Sequence, residues 1–214
     1  MQTTIRRFLS AALVCSGLVV AATPAWADII VLNGVNNAGT DNVLLNDATN
    51  VPVVTGTINA GAFTALFESD GGNLDAEASG QAVVTAADGH DPFVDIRFYL
   101  QDAFFTRAVF NLNSAVDGLM MIRVTGINID GGLFEDVFTV DDNGENFFTV
   151  DAINGQYIHT IALIAQGDVE FQDLRQVRIG GATTRDELPV PEPGLLALLG
   201  SGVLGLALKR RQSA

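Results

Sequence analysis

"FVDIRFYL", residues 93–100, alternates without a break: Val94, Ile96, Phe98 and Leu100 fall on one side of an extended chain, Asp95 and Arg97 on the other. A period of two, with β-branched and aromatic residues on the apolar side, is the pattern of a half-buried strand. A helix would scatter these residues around its axis. The pattern repeats outward from this stretch. "FFTRAVFNLN" (104–113) places Phe104, Ala108, Phe110 and Leu112 together. "MMIRVTGINI" (120–129), "LFEDVFTV" (133–140), "NFFTV" (146–150), "QYIHTIALIAQ" (156–166) and "DLRQVRIGG" (173–181) follow. Between such segments stand residues that tolerate positive φ: Asp70-Gly71-Gly72, Asp88-Gly89, Asp117-Gly118, Asp130-Gly131-Gly132, Asn143-Gly144 and Asn154-Gly155. Short alternating segments separated by turns every eight to twelve residues or so predict an all-β protein, a jelly-roll-like antiparallel β-sandwich of about ten strands. No central stretch carries a helical stripe.

The two ends differ from this middle. The first 27 residues carry Arg6 and Arg7, an apolar run from Phe8 to Ala22, Pro24, and the small residues Ala25 and Ala27 around Trp26. That order is a signal peptide with cleavage by signal peptidase after Ala27. Cleavage removes Cys15 and Trp26, the only cysteine and the only tryptophan. The mature chain is then without disulfides, thiol nucleophiles or thiolate metal ligands.

Charge is just as uneven. The chain has 25 acidic against 11 basic residues, a net charge of -14. Residues 28–188 hold six arginines (Arg97, Arg107, Arg123, Arg175, Arg178 and Arg185) and no lysine. Such a surface repels a phosphate backbone, so nucleic acid is excluded as a partner.

The C-terminus reads "VPEPGLLALLGSGVLGLALKRRQSA" from Val190 to Ala214. Gly194–Leu208 is an apolar run about 22 Å long as a helix, a little short of the ~30 Å hydrocarbon core. It has no polar face and ends in Lys209, Arg210 and Arg211, which orient the segment with its basic tip in the cytoplasm. The expected organisation is a signal peptide (1–27), a sandwich ectodomain (28–184) and a proline-rich linker (185–193). A single short transmembrane sorting helix (194–208) and a basic cytoplasmic tail (209–214) complete it. Pro191 and Pro193 around Glu192 hold the linker's end extended just outside the membrane, where a processing enzyme can grip it.

These last 25 residues, with a separate export signal in front, resemble the PEP-CTERM sorting signal of Gram-negative bacteria. The resemblance implies that an exosortase, an integral-membrane cysteine protease or transpeptidase, recognises Pro191, Glu192 and Pro193. It would remove or exchange the helix during export to the cell surface. Proteins of this kind occur in bacteria that make exopolysaccharide and biofilm matrix. The stretch Phe93–Gly181 also resembles the β-sandwich found in front of this signal, where segments like "NFFTV" and "DLRQVRIGG" recur.

Chemistry is sparse. His90 sits in the turn "DGHDP", and His159 lies in a strand beside Tyr157 and Ile161. A turn histidine flanked by Asp88 and Asp91 could ligate a metal. His159 reads as a sheet-face residue. No G-x-S-x-G motif offers a serine nucleophile. Each acidic turn reads first as a solvated hairpin loop, and calcium is the metal it would otherwise take: Asp141, Asn143 and Glu145 surround a glycine turn, though without EF-hand spacing, and "ESDGGNLDAE" (68–77) is a second such stretch. The phenylalanines at alternating strand positions read as core rather than as a sugar platform. The expectation is a non-enzymatic exported surface or extracellular-matrix protein. Its role would be structural or adhesive, with exopolysaccharide as a partner. Two alternatives stand beside it: a carbohydrate-active enzyme on the same scaffold, and a membrane-anchored periplasmic protein whose tail is never processed.

Overall fold

A computed structural model describes residues 29–58, 62–78, 83–87, 92–129, 132–142 and 145–188. The strands among them run β1 (Ile29–Asn33), β2 (Thr40–Leu45), β3 (Ala48–Val51), β4 (Val54–Ile58), β5 (Thr64–Glu68), β6 (Leu74–Glu77), β7 (Val83–Ala86) and β8 (Asp95–Leu100). They continue with β9 (Ala103–Phe104), β10 (Arg107–Ser114), β11 (Gly118–Ile127), β12 (Leu133–Val140), β13 (Asn146–Ala152), β14 (Tyr157–Gln166), β15 (Phe171–Gly180) and β16 (Thr183–Thr184).

Antiparallel ladders assemble them into two facing sheets, as the alternation predicts, apart from β9 and β16, which pair with each other. The first has the order β1-β13-β10-β15-β7-β6-β3. The second runs β2-β4-β5-β8-β14-β11-β12. β2 belongs to both. Its Thr40–Asn42 half pairs with Arg178–Gly180 of β15, and its Val43–Leu45 half pairs with β4. One side of the sandwich is thereby closed, while β1 and β12 are edges on the other.

β15 can serve two neighbours along one edge because it is bulged. Gln176 has φ 56, and the register against β10 shifts there, so that Arg175 faces Asn111 and Arg178 faces Val109. An extra residue in one strand bends it and raises its twist. Asp173–Arg175 then pair with β7, and Arg178–Gly180 with β2, leaving a gap between those two neighbours.

The core is a chain of phenylalanines crossing from sheet to sheet. Phe67 stacks on Phe98 at 5.8 Å, Phe98 meets Phe110 edge-on at 5.6 Å, Phe110 stacks on Phe148 at 5.8 Å, and Phe138 closes the series against Phe148 at 5.7 Å. The first four are fully buried. Each such burial contributes about 1.5–3 kcal/mol.

"FVDIRFYL" folds as β8 with Ile96, Phe98 and Leu100 inside, but Val94 is 51% exposed. Phe93 exchanges two backbone hydrogen bonds with Phe171, at 3.0 and 2.9 Å, and turns its own ring into the core. The inward-facing series therefore begins at Ile96, two residues later than the sequence suggests. The Asn154-Gly155 turn forms with both residues at positive φ (57 and 79), and Gln156 N–H donates to Ile153 O. It carries the chain from β13 in the first sheet to β14 in the second rather than closing a hairpin. At the far end, Arg185–Glu187 form a short 3-10 turn capped by Thr184. The segment expected as linker therefore opens with ordered backbone.

Candidate functional site

Pro191, Glu192, Pro193, Ala25, Ala27, Lys209, Arg210, Arg211, Asn143 and His90 lie outside the described residues, as does the apolar run 194–208. No helix among the described residues is long and apolar enough to cross a membrane.

Asp141 and Glu145 are exposed between β12 and β13. Buried Asn146 sets the backbone there: Asp141 N–H donates to its Oδ1 at 2.8 Å, and its Nδ2 donates to Asp141 O (2.8 Å) and Leu112 O (3.0 Å). Asp142 N–H donates to Asp117 Oδ1 at 2.8 Å, tying this turn to its neighbour. Among the described residues no group of three or more His, Cys, Asp or Glu side chains gathers as a metal site would. The acids of 68–77 separate. Glu68 and Asp70 lie with the second sheet, while Asp75 takes the Asn50 N–H at 2.6 Å beside the first.

The outer face of the second sheet carries an ion-pair network. Arg97 donates from Nε (3.0 Å) and Nη2 (2.8 Å) to Glu68 Oε2, and from Nη1 to Asp70 Oδ1 (2.6 Å). Tyr99 Oη donates to Glu68 Oε1 at 2.5 Å. That hydrogen bond, followed by burial and the Glu68 charge, pushes the Tyr99 phenol above the ordinary tyrosine range. Asp95 accepts the Asp70 N–H at 2.8 Å, and Arg123 pairs with Glu135 at 2.5 Å. His159 is exposed on this face, its ring 6.0 Å from Tyr99 and nearly parallel to it, 5.5 Å from Phe104. It is the sheet-face residue the sequence indicates. Here every arginine meets a carboxylate.

The first sheet differs. At its centre Arg107 forks onto Asp151, and Arg175 onto Asp173. The Asp173 carboxylate holds the Arg175 guanidinium charged, raising its pKa against the opposing effect of burial. Beside them, where β2 and β7 part, lies a cleft of about 380 Å³ whose wall includes Asn37, Asn42, Leu44, Phe147, Gln176 and Arg178. Arg178 is held by neutral groups alone: Nε donates to Thr40 Oγ1 (3.1 Å), Nη1 to Asn42 Oδ1 (2.5 Å) and Nη2 to Thr40 O (3.4 Å). Among the described residues Arg178 has no carboxylate partner, unlike Arg97, Arg107, Arg123 and Arg175. One row along the same face, buried Asn111 stands between Phe147 on β13 and Arg175 on β15, and its Oδ1 has no hydrogen-bond partner among the described residues. Six arginines stand out along residues 28–188, and no local pattern marks which of them meets an acid.

Residues 189–211 match the family model of the PEP-CTERM protein-sorting motif. The motif marks the chain as an exported protein of the cell surface or exterior, with an exosortase as its processing partner. No curated protein matches the chain. Among solved structures, two variants of CBM29-2, a family 29 carbohydrate-binding module, show a likeness. One is 14% identical with a TM-score of 0.33, covering 70% of this chain and 96% of the module. The other is 13% identical with a TM-score of 0.34, covering 77% and 99%.

Proposed function

We propose that the chain bearing this sorting motif is a non-catalytic component of the bacterial surface or extracellular matrix, with a structural or adhesive role beside exopolysaccharide. The observation that carries the reading is the PEP-CTERM motif at 189–211 following a sandwich with a phenylalanine core. A binding rather than hydrolytic role is supported by the state of the carboxylates. Glycoside hydrolysis needs one carboxyl to give a proton and a second to attack or to activate water. On the second sheet Glu68, Asp70 and Glu135 are instead engaged by Arg97, Tyr99 and Arg123. Calcium belongs to the proposal as a bridging ion: exposed Asp141 and Glu145, with Asn143 between them in sequence, offer hard oxygens that an acidic polymer could share.

The test follows the protein in producing cells with and without exosortase. Wild type appears at the surface or in the matrix with Asp28 as its N-terminus and without residues 194–214. The exosortase-deficient strain, or the triple variant Pro191→Ala, Glu192→Ala, Pro193→Ala, retains the tail in the membrane fraction. Co-sedimentation of the purified protein with the cells' own exopolysaccharide, with calcium and then with chelator, reads the matrix role. A protein that keeps its tail in wild-type cells, or that never sediments with polymer, refutes the proposal.

A further inference from the structure

We infer that the cleft between β2 and the first sheet binds a carboxylate-bearing sugar, a hexuronate unit of an extracellular polysaccharide; the inference rests on the matrix role proposed above. Charge is the first argument. The chain carries 25 acids against 11 bases, yet the described wall of this cleft holds Arg178 and neither Asp nor Glu. Four other arginines of the sandwich are each matched to a carboxylate. Arg178 is oriented by Thr40 and Asn42 but not neutralised by them. A half-buried cation with no counter-charge among the described residues sits in a weakly screened environment, where an arriving anion gains more than at an open surface. A guanidinium has five N–H donors, and the three bonds to Thr40 and Asn42 leave one on Nη1 and one on Nη2 for an arriving carboxylate.

The rest of the wall selects the kind of anion. Asn37 brings an amide group to the cleft, which can both donate to and accept from hydroxyls. Phe147 is half-buried, and Val35 and Leu44, each 52% exposed, line the same cleft. An aromatic and aliphatic wall of this kind receives the C–H face of a pyranose ring. An inorganic anion would leave that wall uncovered, and a fatty acid would bury the Asn37 amide without a partner. A uronate presents all three chemistries at once.

The cleft is also built before any ligand arrives. β2 is hydrogen-bonded to β15 at one end and to β4 at the other, and the bulge at Gln176 sets the separation of β2 from β7. Little ordering remains to be done on binding, which favours affinity for a small rigid ring.

Calorimetric titration of the purified exported protein with trigalacturonate tests this, with chelator present so that no bridging cation contributes. Maltotriose, acetate and inorganic phosphate are the comparison probes. Trigalacturonate is expected to bind saturably, with maltotriose, acetate and phosphate each at least about tenfold weaker. Arg178→Gln should lose about tenfold or more, and Arg178→Lys less, since it keeps the charge without the fork. Arg178→Gln also loosens the β2–β15 junction, so a second variant is needed. Asn42→Asp places a carboxylate on the Arg178 guanidinium, tightening that junction while neutralising the cation. It should abolish uronate binding with the melting temperature held or raised. Equal binding of maltotriose, equal binding of phosphate, wild-type binding by Asn42→Asp, or no saturable binding up to roughly 10 mM would each overturn the inference. Native exopolysaccharide retained equally by wild type and Asn42→Asp would overturn the cleft alone and leave the matrix role standing. Trigalacturonate binding by a protein that is not sorted to the surface would do the reverse.

Discussion

Replacing Phe110 by alanine should cost about 4–5 kcal/mol of stability, near the upper end for a large core side chain. Phe110 is fully buried on β10, and its ring is the link between the sheets: it meets Phe98 of the second sheet at 5.6 Å and Phe148 of the first at 5.8 Å. Loss of transfer free energy and the residual cavity account for about 3–5 kcal/mol, and the two aromatic contacts, each about 0.5–1.5 kcal/mol, push the value to the top of that range. A domain of this size has about 5–15 kcal/mol in total, so the variant folds marginally. Phe110→Leu keeps most of the volume and should cost about 1–2 kcal/mol. Urea unfolding followed by far-ultraviolet circular dichroism is the assay, because the sole tryptophan, Trp26, belongs to the expected signal peptide. With a slope of about 2 kcal/mol per molar, the midpoint should fall by about 2 M for alanine and under about 1 M for leucine. An alanine variant within about 1 kcal/mol of wild type would refute the reading of a continuous phenylalanine core.

Three further outcomes follow from the geometry. Gly126→Ala drives a methyl into the Tyr157 carbonyl at the β11–β14 irregularity, and the melting temperature should drop by about 5–15 °C in a thermal scan. Arg107→Met leaves Asp151, 13% exposed at its side chain, without its fork and should cost about 1–3 kcal/mol. Arg123→Met breaks a pair exposed by 43% and 38% and should stay within about 1 kcal/mol; denaturant midpoints separate the two. Because the folded state holds the Tyr99 proton more tightly than the unfolded chain, its contribution to stability is complete below the unfolded tyrosine pKa and is lost as pH rises through the folded one. Tyr99→Phe should therefore flatten the alkaline limb of the stability profile and remove the late component of the tyrosinate absorbance titration. An unchanged limb would contradict the Tyr99–Glu68 bond.

Several elements were legible in the residues because their cause is local. Ile96, Phe98 and Leu100, and Ala108, Phe110 and Leu112, point inward as their alternation requires, and Asn154-Gly155 takes the two positive φ values its composition permits. His159 was readable as a sheet-face residue for the same reason. What failed locally did so where a distant strand intervened. Val94 is outside because Phe93 bonds to Phe171, and the short strands β3, β6 and β7, four residues each, exist through their partners rather than their own patterns. The acids of 68–77 looked like one loop and divide between two sheets, because Arg97 claims Glu68 and Asp70 while Asn50 claims Asp75.

The fold class, the turns at Asp70-Gly71-Gly72 and Asn154-Gly155 and the sorting motif at 189–211 were legible along the chain, since period-two alternation, turn chemistry and a linear peptide signal are all read over a few neighbouring residues. Long-range pairing set β2 into both sheets, put the bulge of β15 at Gln176, and left Arg178 as the cleft's cation with no carboxylate partner among the described residues. Pairing joins residues far apart in the chain, Thr40 with Gly180 and Ile29 with Ala152, and the charge left over at one point depends on every other pairing made. Neutralisation is a property of neighbours in space, and no window along the chain contains them.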